Sequence, residues 1–197
     1  MLKLAWPATL QQLLIALVFV VDRLVVARCG EAELASLHVS TTVTWTLTSL
    51  ISALSVASLA SIGKLIGAGR RDRAGGTAWL SLGIALGLGA AAGIALWATA
   101  STIATAFSLE PAVAHQVVAY LEVMAPFIPA AFFHSAAAAC LHGAGDTRTP
   151  LSAGALATLV NVLLSMALAF GWGPLPALGV RGAALGSGIA FTVEAVA

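Results

Sequence analysis

Residues Leu37–Ile62 read LHVSTTVTWTLTSLISALSVASLASI, a run of 26 positions without one formal charge. A helix that crosses a bilayer needs about 20 mostly apolar residues, each adding 1.5 Å of rise. This run is long enough to cross. Working outward from it, the gaps between charged and turn-forming residues mark five more such stretches, at about 4–27, 77–107, 113–141, 150–170 and 180–197, each a candidate span. The pattern predicts an all-α, polytopic membrane protein whose residues 1–197 form one unit of six transmembrane helices.

Composition agrees. Of 197 residues, 60% are hydrophobic and 9% charged, where a soluble domain has about 25% charged residues, and a water-facing surface cannot be built from so few. Nine Lys+Arg against eight Asp+Glu leave a formal charge of +1, which gives no field to attract nucleic acid. A soluble enzyme and a disordered tail are excluded on the same grounds. Cys29 follows the first stretch and Cys140 ends the fourth, so the two should lie on opposite sides and stay unpaired. Val26-Ala-Arg-Cys29 has the outline of a lipoprotein cleavage box, but Arg28 breaks its small-residue requirement. Asp22 and Arg23 interrupt the first stretch, which is also too long for a cleaved signal peptide.

Turn formers set the expected local structure. Pro7 suits a helix's first turn, where its missing N–H would be unpaired anyway. Pro126 and Pro129 should kink the fourth span. Gly171 to Gly179, with Pro174 and Pro176, should form a turn. In the loop His142-Gly-Ala-Gly-Asp-Thr-Arg-Thr149, Gly145 should end one helix, Thr149 cap the next, and Pro150 take its first position. Six helices then put Lys3, Lys64, Arg70, Arg71, Arg73 and Arg148 on one side and Arg28 and Arg181 on the other, which places both termini in the cytoplasm. Trp6 and Trp79 would fall near cytoplasmic helix starts, Trp45 near an outer helix end and Trp172 in an outer loop. Glycine pairs at four-residue spacing, Gly83/Gly87, Gly89/Gly93 and Gly182/Gly186, are expected to let helices pack closely.

Polar residues inside the spans are the candidates for function. Asp22 should lie in the outer third of the hydrocarbon core, either reaching water beside Arg23 or facing a cavity as a protonatable or ion-binding carboxylate. Asn161 and Ser165, four residues apart, share one helix face and either hydrogen-bond another helix or line a cavity. Thr41, Thr44 and Thr48 could line a wet pathway, with Gln11, or bond back to helix carbonyls. His134 is deep but has no identifiable carboxylate partner, and Glu122 and His115 read as interfacial. Gly67-Ala-Gly69 lacks the Gly-Lys-Ser/Thr ending of a phosphate loop, and Gly186-Ser187-Gly188 lacks what a serine protease needs.

Three stretches together resemble the multidrug and toxic compound extrusion (MATE) family of the MOP superfamily, at its amino-terminal lobe. They are Leu4-Ala-Trp-Pro7 leading to Val21-Asp22 and Gly30; the loop Gly143-Ala-Gly145-Asp146-Thr147-Arg-Thr-Pro150; and Asn161-Val-Leu-Leu with Phe170-Gly171. Leu175-Pro-Ala-Leu-Gly-Val-Arg-Gly-Ala-Ala-Leu-Gly186 is similar to the family's approach to its sixth helix. The resemblance implies a secondary antiporter of two six-helix lobes that exchanges protons or sodium ions for bulky, often cationic, drugs and needs no other cofactor. Asp22 matches the family's first-helix coupling carboxylate, and Asn161 an asparagine near it. Ser187 falls about where some members place a sixth-helix hydroxyl, and a sodium ion could sit at Asp22. Ser165 departs from the pattern, since many members carry aspartate there. The chain reads as a piece lacking a second lobe expected in cis. The alternatives are a non-transporting membrane scaffold and a flippase of lipid-linked saccharides; the latter would favour more cationic residues inside the spans than Arg23.

Overall fold

A computed structural model describes the backbone of residues 2–172 and 176–197, and side chains at Trp6 and from Thr9 onward within those bounds. Among the described residues seven α-helices follow in order: α1 (Leu2–Ala27), α2 (Glu31–Gly67), α3 (Arg71–Ala106), α4 (Pro111–Met124), α5 (Ile128–Gly143), α6 (Arg148–Phe170) and α7 (Val180–Val196). Among the described residues five stretches are long and apolar enough to cross a membrane: Thr9–Ala27, α2, α3, Pro111–Gly143 and α6. The sixth expected span corresponds to α7, whose 17 residues stand at the lower end of the range for a crossing helix.

The burial pattern is that of a lipid-facing bundle. Leu13, Leu24, Leu50, Val56, Leu80, Ile94 and Leu159 are exposed, while the interior is rich in Ala, Ser and Gly. Large aliphatic groups gain nothing from burial when the solvent is itself hydrocarbon, and small residues let helices approach. Serine hydroxyls bridge helices inside, Ser58 to Ser81 at 2.9 Å and Ser55 to Ser135 at 3.3 Å.

Several expectations are corrected by the helix ends. The second helix begins at Glu31, not near 37, and runs to Gly67, while the third begins at Arg71. Charged residues at 31, 33, 64 and 71–73 lie within helical turns, because a helix can continue through the headgroup layer. The basic loop thus shrinks to a turn at 68–70. Trp45 consequently lies deep in α2, about 21 Å from its start, and stacks on Phe19 of α1 with centroids 5.9 Å apart. Helix α1 is already formed at Leu2, so Pro7 sits beyond the first turn. The expected turn at 171–179 follows α6, with Gly171 and Gly179 at positive φ of 71° and 53°; Pro174 and Leu175 lie outside the described residues, as does the side chain of Lys3.

At the 142–150 loop the cap is Asp146. Its Oδ1 accepts the N–H groups of Arg148 and Thr149 at 2.9 and 3.1 Å, and its Oδ2 accepts the Thr149 hydroxyl at 2.6 Å. Thr149 therefore donates where it was expected to accept, and Pro150 is the third residue of α6, a place where its missing N–H is still no loss. The Thr149 hydroxyl, then the N–H bonds, hold the Asp146 carboxyl below the usual carboxylate range. A carboxyl lowered on folding contributes stability above its unfolded pKa and loses it as pH falls through the folded value. Asp146→Ala should thus cost about 1 kcal/mol at neutral pH, the ordinary worth of a helix cap. The difference from wild type in thermal unfolding should vanish in acid strong enough to protonate Asp146.

The kink in the fourth span is present as a 3-10 turn, Ala125–Phe127, between α4 and α5. Gly89 and Gly93 of α3 receive it. A Cβ on Gly93 would lie 2.6 Å from the Ala125 carbonyl oxygen, and one on Gly89 would lie 2.7 Å from Pro129 Cα. Gly182 and Gly186 of α7 press on α6 in the same way, against the Leu168 and Ser165 backbone. Gly83 and Gly87 differ from expectation: a Cβ there would meet nothing within 4 Å, so this pair packs no helix.

Candidate functional site

The structure brings Asp22, Asn161, Ser165 and Ser187 together where α1, α6 and α7 meet. The close seating of α7 on α6 through Gly182 and Gly186 sets Ser187 opposite Asn161. Asn161 Nδ2 donates to Ser187 Oγ at 3.0 Å, and Ser187 Oγ donates to Asp22 Oδ2 at 3.2 Å. The hydroxyl thus relays one directed chain of hydrogen bonds to the carboxylate. Ser165 lies beside the same carboxylate, completely buried. Three oxygens here, Asp22 Oδ1, Asn161 Oδ1 and Ser165 Oγ, are buried without a hydrogen-bond partner. Unpaired buried polar atoms are costly, and each of these three oxygens has lone pairs to offer.

Arg23 does not satisfy Asp22. It is exposed, and the one ion pair among the described residues is elsewhere, between His134 and Glu194. That pair corrects the expectation for His134. Its Nδ1 lies 3.5 Å from Glu194 Oε2, and its ring stacks on Phe191 with centroids 5.6 Å apart. Glu194 lies 60 positions away in sequence, so helical spacing could not reveal it; a lone acid in a predicted span was the available signal.

The other candidates separate from the cluster. Thr41 and Thr48 donate to carbonyls of their own helix, at Leu37 and Thr44, and Thr44 donates to Ser40 at 2.9 Å. A groove of about 300 Å³ between α2 and α3 is lined instead by Thr42 and Thr46, with Thr99 opposite. Gln11 lies over Gly154 of α6, near Glu194. Gly143 is more than a helix stop: a Cβ there would stand 2.7 Å from the Leu59 carbonyl oxygen, so it lets α5 seat against α2. Glu122 borders a groove of about 400 Å³ with Trp97, Pro126 and Pro129. Cys29 and Cys140 are both free, and burial raises the thiol pKa of Cys29, in the turn after α1.

An inside-out helical bundle with a carboxylate-centred polar cluster defines a polytopic membrane protein of the all-α class. Comparison with known proteins is specific. The MatE family model matches residues 7–167, and the chain belongs to that family, which consists of transporters rather than enzymes. It is 29% identical over 185 residues to the probable multidrug resistance protein NorM of Thermotoga maritima, covering 94% of this chain and 40% of NorM. A MOP superfamily transporter from Pyrococcus furiosus superposes with a TM-score of 0.91 at 22% identity, covering 99% of this chain and 42% of that one. An outward-facing multidrug resistance MATE transporter gives 0.91, at 22% identity over 99% and 42% of the two chains. Its inward-facing counterpart gives 0.84, at 22% identity over 91% and 40%. The chain therefore spans about 40% of the length of the relatives it matches, and the likeness in structure concerns the fold.

Proposed function

We propose that this chain is the amino-terminal lobe of an ion-coupled drug exporter in the cytoplasmic membrane, with both termini in the cytoplasm and a second six-helix lobe joined in cis. The observation that carries this reading is the set of three unpartnered buried oxygens around Asp22. A proton on Asp22 Oδ1 would give that atom a hydrogen to donate. A sodium ion would instead find carboxylate, amide and hydroxyl oxygens, which suit a hard cation. Either event neutralises Asp22 and changes what α1, α6 and α7 gain by staying together, so it biases two packings of the lobe. Rocking of one lobe against the other would then move substrate through the cleft between them. The NorM relative, a probable multidrug resistance protein, supports drugs as the cargo, and the family resemblance suggests organic cations among them.

The experiment is transport by vesicles that hold this lobe with its second lobe. An imposed proton or sodium gradient is expected to drive accumulation of a fluorescent cationic dye, and the effective gradient names the ion. Dye movement indifferent to both gradients would remove the coupling. No movement at all from a folded protein would favour the scaffold reading.

A further inference from the structure

We infer that His134 and Glu194 form a second proton-binding site in this lobe, separate from the Asp22 cluster. It shares α1, α6 and α7 with that cluster at another level, and His134 comes from α5. Gln11 precedes Asp22 by eleven residues in α1, Gly154 precedes Asn161 by seven in α6, and Glu194 follows Ser187 by seven in α7. These offsets place the second group about 10–16 Å along the helix axes from the first.

The pair has a built surrounding. His134 presents Nδ1 to Glu194 Oε2 at 3.5 Å, and that nitrogen is buried without a hydrogen bond. Phe191, one turn before Glu194, stacks on the imidazole and holds its plane. The absence of a side chain at Gly154 makes room for the other carboxylate oxygen: a Cβ there would lie 3.3 Å from Glu194 Oε1 and 3.8 Å from Gln11 Nε2. Both side chains are about four-fifths shielded, at 21% and 18% exposure.

The chemistry selects a proton. An imidazole nitrogen is a poor ligand for an alkali cation, which takes oxygen. Zinc takes three or four protein donors, and among the described residues no group of three or more His, Cys, Asp or Glu could hold a metal. One proton from water added to Nδ1 turns a neutral imidazole beside a carboxylate into an imidazolium–carboxylate pair, and its loss reverses the step.

Glu194 is the charged group that bears directly on His134. The elements packed around the pair carry their other titratable groups elsewhere. These are Glu31, Glu33, His38 and Lys64 on α2, Arg71, Asp72 and Arg73 on α3, His115, Tyr120 and Glu122 on α4, Cys140 and His142 on α5, Arg148 on α6, Arg181 on α7, and Asp22 and Arg23 on α1. None of these pairs with either residue among the described ion pairs. The side chain of Lys3, also on α1, lies outside the described residues.

The inference stands apart from transport, and so does its test. The purified protein that holds this lobe with its second lobe, labelled with ¹⁵N-histidine in lipid nanodiscs, is titrated from pH 9 downward, and the His134 ring signal is assigned by its loss in His134→Gln. Circular dichroism checks that each variant is folded. His134 is expected to take up one proton as the pH falls. Glu194→Gln should displace that step by about one pH unit, the effect of losing one close charge. Gly154→Ala, which crowds Oε1 without removing a titrating group, should displace it as well, and Asp22→Asn should leave it in place. A His134 that does not titrate, or a step that neither Glu194→Gln nor Gly154→Ala moves, overturns the site. A step moved as far by Asp22→Asn as by Glu194→Gln overturns its separateness.

Discussion

Asp22→Asn is expected to lower dye efflux to the level of cells without the transporter, a loss of tenfold or more, while the protein remains folded in the membrane. Asparagine has the same shape as aspartate and can still accept the Ser187 hydroxyl, which now bonds Oδ2 at 3.2 Å. What it cannot do is alternate between charged and neutral forms at any attainable pH. The substitution therefore separates holding the cluster together from switching it. A factor of ten corresponds to about 1.4 kcal/mol, less than the usual penalty of a charge at the bilayer centre, so loss of the switch has ample energy behind it. Efflux of a fluorescent cation at matched expression is the measurement. Unchanged efflux and unchanged drug resistance would remove Asp22 from the coupling mechanism.

The second large effect is steric. Gly182→Ala would set a methyl group 2.5 Å from the Leu168 carbonyl carbon and 2.7 Å from the Ala169 nitrogen; Gly186→Ala would set one 2.8 Å from the Ser165 nitrogen. Backbone atoms cannot rotate out of the way, so α7 must lift from α6. Overpacking of this kind costs about 1–3 kcal/mol, which for a chain of this size lowers the unfolding midpoint by several degrees. Gly83→Ala and Gly87→Ala have open space around the new methyl. They should be neutral or stabilising by about 0.5–1 kcal/mol, since alanine is the better helix former. Thermal unfolding in detergent compares the four variants, and equal midpoints would contradict the close packing of α6 and α7.

The same glycines illustrate what could be read in advance. Spacing of four marks a smooth stripe wherever it occurs, but only the partner helix decides whether the stripe is used; Gly89/Gly93 and Gly182/Gly186 have one and Gly83/Gly87 do not. Asn161 and Ser165 were legible as one face because a single helix carries both. Their meeting with Asp22 and Ser187 was legible only through the family resemblance, since it joins three helices. His134 and Glu194 show the opposite case: neither the periodicity of α5 nor that of α7 connects them, and no motif covered the pair. Helix ends were misread for a physical reason too. Charge marks the limit of hydrocarbon, not the limit of the helix, and α2 continues beyond both.

Phe127, in the 3-10 turn of the fourth span, takes the space that a side chain at Gly188 would need, its ring against the backbone next to Ser187. The ring sits there like a key in a slot. Rotation of α7 about its own axis would push the Phe127 ring, and straightening of the turn between α4 and α5 would press that ring on α7. On the other side of the same turn lie Gly89 and Gly93 of α3, so the turn is held between α7 and α3.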